Sequence, residues 1–162
     1  MPFTILEHGA GPPDNADQRV RSFHEYWRSI RRGRPFPSRA DFDPIDIPYL
    51  MPFVSLVDVR NGTQPRFVYR LAGTKLVDLL KREVTWHPVG YGVKPEQLEF
   101  VLQRYSIVAD TGAGIFQRDR MQEQSNDYTG IERLMLPLGS DGMHVDMIFS
   151  IVIPMPKDSP RG

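Results

Sequence analysis

The last third of the chain carries the pattern that most limits what it can fold into. Over residues 143–153, Val145, Met147, Phe149, Ile151 and Ile153 alternate with His144, Asp146 and Ser150. Residues 129–138 alternate in the same way around Leu134, Leu136 and Leu138. A period of two marks a strand, because successive side chains leave it on opposite faces. Gly139-Ser140-Asp141-Gly142 separates the two runs and reads as a turn. So short a connection makes the pair antiparallel, since parallel strands need a crossover of a dozen residues or more.

Three further strands are predicted. Phe53–Val59 is β-rich, and Asn61-Gly62 after it is a strong hairpin signal. Arg66–Leu71 is the return strand, with Phe67, Tyr69 and Leu71 on one face and Val68 and Arg70 on the other. Residues 114–122 form a polar, half-exposed strand in which Ile115 and Phe116 precede Gln117-Arg118-Asp119-Arg120.

Helical spacing appears twice. In residues 16–32, Val20, Phe23, Trp27 and Ile30 form an apolar stripe with arginines opposite, and Gly33 follows as the stop. Pro95 opens a second helix, whose face over 95–109 carries Leu98, Val101, Leu102, Tyr105, Val108 and Ala109. A short helix is expected after an Asp43 cap, from Pro44 to Leu50, and another after a Thr74 cap. Residues 82–93 read as loop or broken helix. The order is helix, two strands, a helical insertion and three strands, an α+β plan of five antiparallel strands with helices on one side.

Length and charge bound the function classes. A chain of 162 residues suits one domain, here 16–153, with flexible termini at 1–15 and 154–162. The 20 basic and 20 acidic residues cancel, so bulk charge favours neither nucleic acid nor an anionic membrane as partner. The absence of cysteine removes disulfides, thiolate nucleophiles and thiolate metal sites. Met1–Glu7 lacks a basic stretch followed by an apolar run, so no signal peptide is expected. No apolar stretch approaches the ~20 residues that span a bilayer, and a cytoplasmic protein is expected.

Several fragments add to what the element order implies. They are Tyr26-Trp27-Arg28, the run from Pro37 to Pro44, Tyr69-Arg70-Leu71-Ala72-Gly73-Thr74, Glu83-Val84-Thr85 and the run from Glu132 to Leu138. In that order and spacing, over roughly residues 20–153, the chain resembles a group of mostly bacterial single-domain PAS-like proteins. The resemblance implies a five-stranded sheet, a possible small-molecule cavity, and signalling by rearrangement, often as a dimer through the N-terminal helix. It names no ligand, since PAS domains carry haem, flavin, small acids or nothing. One departure stands out: after Glu83-Val84-Thr85 a Gly-Arg-type turn is implied, and this chain has Trp86-His87.

The ligand reading rests on facing apolar surfaces. Tyr69 and Leu71 would face Leu98, Leu102 and Tyr105 of the long helix, and Leu134, Leu136, Met147 and Phe149 would line the same space. The two tyrosines would supply orienting hydroxyls. A filled core without a cavity is the simpler alternative. The stripe of Val20, Phe23, Trp27 and Ile30 can bury against its own sheet or against a second copy, and a homodimer is expected through it.

Catalytic signals are weak. No phosphate loop, dinucleotide fingerprint, serine elbow or zinc-binding helix is present, and the four histidines lack metal-ligand spacing, so no metal is expected. Asp58 and Asp146 could act as an acid/base pair, but a solvated face or an arginine partner is the plainer reading. His87 is the best-placed haem ligand, yet Pro88 biases it away from helical angles, and no cofactor is expected. A flavin photoadduct needs a thiol, and the chain has none. Arg28, Arg31, Arg32, Arg34 and Arg39 with Trp27 and Phe36 could form a nucleic-acid patch, against which stands a capped helix and solvated surface. The expectation is thus a non-enzymatic sensory or regulatory module acting through an unidentified output partner. A small isomerase-like cone enzyme and a ligand-free adaptor are the alternatives.

Overall fold

The computed structural model describes residues 3–120 and 128–156. It is α+β, with one six-stranded antiparallel sheet and three α-helices. The strands are β1 (Thr4–Leu6), β2 (Val54–Val59), β3 (Phe67–Ala72), β4 (Gly114–Arg120), β5 (Tyr128–Leu138) and β6 (Met147–Pro156). The helices are α1 (Gln18–Arg31), α2 (Thr74–Leu80) and α3 (Pro95–Thr111). The sheet order is β1-β4-β5-β6-β2-β3.

The sixth strand is the main correction to the expected sheet. Thr4–Leu6, expected within a frayed terminus, pairs with β4 through Thr4–Phe116, Ile5–Ile115 and Leu6–Gly114. At the other end, β6 runs on to Pro156, while 157–162 and part of the expected strand 114–122 lie outside the described residues. β6 also starts later than its alternation predicts. Asp141 ties the connection by accepting from the amides of Met143 and His144 at 2.8 and 2.7 Å.

Local signals account for most boundaries. The Asp17 side chain caps α1 by accepting from the Arg19 amide, and left-handed Arg32 (φ 55°) and Gly33 (φ 77°) end it. Asp43 caps a single 3-10 turn, Pro44–Asp46, rather than a helix to Leu50. Gly73, not Thr74, occupies the cap of α2. Pro95 opens α3, and Gly112 closes it with φ 72° and an amide bonded to the Val108 carbonyl.

Register decides what each face of the sheet meets, because directly opposed residues share a face. Leu136, Phe149 and Leu56 form one row, with Leu134, Ile151 and Val54 beside it. This side packs on α1: the Phe23 and Phe42 rings lie 4.3 and 4.6 Å from Phe149, and Trp27 Nε1 donates to the Pro137 carbonyl at 2.9 Å. The opposite side carries Ile115, Met135, Ser150 and Ser55 in one row, and Gln117, Arg133 and Val152 in another. It packs on α3, where the Tyr105 ring lies 5.6 Å from that of Phe67. Helices therefore cover both faces.

Candidate functional site

The space between α3 and the sheet holds a polar cluster in apolar surroundings. Tyr69 enters from β3 and Tyr105 from α3; both are buried, close enough for each phenol to influence the other. Burial raises both phenol pKa values, Tyr105 the more strongly, so both stay neutral.

Arg104 precedes Tyr105 on α3 and is 5% exposed. Its Nη1 donates to the buried Gln117 Oε1 of β4, and its guanidinium lies 5.5 Å from the Phe100 ring centre. Its Nε is buried with no hydrogen-bond partner. Burial disfavours its charge, which the Tyr105 and Tyr69 hydroxyls and Asp119 favour. Among the described residues no carboxylate forms an ion pair with it. Ser150 lies on the same side of the sheet, and its Oγ is also buried and unpartnered.

Tyr69 and Tyr105 meet as the sequence predicts. Leu71 pairs opposite Leu56 and is half-buried against the core. Leu98 and Leu102 are half-buried beside an outer groove of about 570 Å³ along α3, because the helix seats mainly through Arg104, Tyr105 and Val108. Leu134, Leu136, Met147 and Phe149 are on the wrong side for a site under α3: they belong to the α1-facing rows. Their neighbours Met135, Ile148 and Ser150 face α3. Arg104 was missed, although its sequence signal is plain, a charge spaced three and four residues from Val101 and Val108 on an apolar helix face.

A family model described as PAS domain matches residues 16–153, most of the chain. The chain belongs to the PAS domain family. Among solved structures, the PAS domain of Bordetella pertussis BvgS is similar with a TM-score of 0.51 at 14% identity, over 71% of this chain and 85% of that one. An RNA-binding light-oxygen-voltage receptor aligns at 12% identity with a TM-score of 0.48, over 94% of this chain and 38% of the other. No curated protein matches.

The stripe of Val20, Phe23, Trp27 and Ile30, the expected dimer contact, is buried within this PAS domain's own fold. It packs on the sheet, where the Phe23 ring meets Phe149. His87 lies in the loop beside β3, where its carbonyl accepts from the Tyr69 amide at 3.0 Å. Its ring stacks on Tyr91 at 4.0 Å. Trp86 has φ 70°, a conformation glycine adopts freely, at the place where the resemblance implies a glycine turn. It stays 63% exposed under the Arg70 guanidinium.

The two carboxylates weighed as an acid/base pair are engaged separately. Asp58 bonds Arg70 at 2.9 Å, and Asp146, in the turn before β6, accepts from the Ser140 amide at 3.0 Å. The basic stretch is largely partnered too. Arg28 pairs with Glu25, Arg34 with Asp41, and Arg31 and Arg39 lie over the rings of Trp27 and Phe42. A larger cleft of about 710 Å³ lies on the α1 side beside Arg31 and Arg34, but those engaged cations leave it no buried, unmet group. Among the described residues no cluster of metal-ligating side chains occurs, and no helix is long and apolar enough to cross a membrane.

Proposed function

We propose that this PAS domain is a sensory or regulatory module that binds a small molecule between α3 and the sheet, catalyses nothing itself, and signals to a separate protein. One observation carries the reading: the cluster of Tyr69, Tyr105, Arg104 and Gln117 in an apolar interior. Polar groups taken from water cost free energy unless their bonds are completed. A structural core is better served by apolar residues, whereas a recognition site needs such groups to orient a ligand.

The same strands carry the response to α1. β5 sends Met135 toward α3, and two residues on its Pro137 carbonyl holds Trp27 of α1. A ligand that shifts β5 from one side thereby changes what α1 rests on from the other. Native mass spectrometry of the protein purified from its own host tests the reading. A retained small-molecule mass lost from a Tyr69→Phe, Tyr105→Phe variant is expected. A bare chain from every preparation would sink it.

A further inference from the structure

Arg104 is a buried charge that no carboxylate among the described residues neutralises. It is nine-tenths buried, Nε has no partner, its one hydrogen-bonded partner is the neutral Gln117, and no carboxylate among the described residues pairs with it. Buried cations are ordinarily paired, because desolvation is otherwise uncompensated. Glu132 shows how this chain treats a buried charge kept for structure. It is 2% exposed, and its two oxygens take the Arg118 guanidinium at 3.1 Å and the Asp17 amide at 2.8 Å. A second unmet group, the Ser150 hydroxyl, lies on the sheet face that Arg104 meets.

Resting on the sensor reading above, we infer that the ligand of this site is a small monocarboxylate with an apolar body, its carboxylate held by Arg104. A guanidinium meets a carboxylate with a fork of two parallel N–H groups, and Nε is one of the donors left over here. The anion carries one charge because Arg104 is the one buried cation there among the described residues, Arg133 beside Gln117 on the same sheet face being only half-buried, and Asp119 lies close enough to influence Arg104. A phosphate dianion would be left half-neutralised. The apolar body follows from the surroundings, the rings of Phe67, Phe100 and Tyr105 among them.

The test is thermal melting and calorimetric titration of the full chain with butyrate, benzoate and phenylacetate, alongside benzamide as a neutral isostere and inorganic phosphate. At least one carboxylate is expected to raise the melting temperature by roughly 5 °C near saturation. Benzamide and phosphate should not. Arg104→Met should melt no lower than the parent and lose at least tenfold in carboxylate affinity. Arg104→Lys, which keeps the charge and loses the fork, should fall between them. The inference is overturned by a panel without effect, by benzamide binding as well as benzoate, by phosphate binding in place of the carboxylates, or by affinity that survives in both variants. A neutral molecule retained in native mass spectra would defeat the carboxylate while leaving the sensor reading intact. A bare chain would defeat both.

Discussion

The two faces of the sheet solve the same burial problem with different materials. Toward α1, Phe23, Phe42 and Phe149 interlock, and most polar atoms there are matched, Trp27 Nε1 with the Pro137 carbonyl and Glu132 with Arg118 and Asp17, with His24 Nε2 the exception. Toward α3, a tyrosine pair and a guanidinium occupy the interior, and Arg104 Nε and Ser150 Oγ go unmatched. Close-packed apolar contact holds a fold together, while unmatched polar atoms cost stability. The α1 side thus has the marks of structure, and the α3 side those of a place that accepts something else.

Four experiments break or sharpen that contrast. The largest effect belongs to Phe23→Ala, which removes a fully buried ring and should cost about 3–5 kcal/mol in denaturant unfolding. A loss below about 1 kcal/mol would mean the α1 side is not the structural one. Glu132→Gln comes next, at about 1–3 kcal/mol, since it weakens two charge-assisted bonds of a buried group, and the partly exposed Arg118 keeps the loss toward the low end. Should it cost no more than Arg104→Met, the contrast between the two buried charges collapses.

Trp86→Gly should be stabilising by up to about 1 kcal/mol. The left-handed backbone no longer carries a side chain, and only an exposed cation–π contact with Arg70 is lost. Equal or lower stability in urea would show that the indole packs usefully. The smallest effect is expected from His24 on α1. Burial lowers its pKa below 6.5, opposed by Glu25 and by the Gly9 carbonyl and reinforced by Arg28 and Arg31. The unfolded chain then binds the proton more readily, so stability is full above pH 6.5 and falls as pH drops through the folded-state value. The melting temperature of His24→Gln should vary less over that window, and parallel curves for both proteins would remove His24 as the cause.

Period and order were legible in the sequence; facing was not. Alternation located β5 and β6, and helical spacing located α1 and α3, because each needs only its own residues. Choosing Leu134, Leu136, Met147 and Phe149 for the α3 side required knowing which parity faces which helix. Both parities are buried here, Met135 and Ile148 as fully as Leu134 and Phe149, so no exposed polar row marks the outside. The cation of the site was hidden differently. The spacing of Arg104 from Val101 and Val108 puts it on the buried face of α3, but only the sheet, with β4 bringing Gln117 beneath it, shows what it meets. Thr4–Leu6 was missed because three residues are too few to show a period, and only the waiting border of β4 makes them a strand.

That three-residue strand and the loop around Pro88 flank the sheet at its opposite margins. Residues 86–89 exchange backbone bonds with Phe67 and Tyr69, and Thr4–Leu6 occupy the rim of β4 from Gly114 to Phe116, beyond which Arg118 and Asp119 bring charge. Neither margin offers a long, bare, uncharged ribbon onto which another molecule's backbone could zip. Trimming the first six residues would bare the 114–116 rim of β4 and leave it open to pairing with another molecule's backbone.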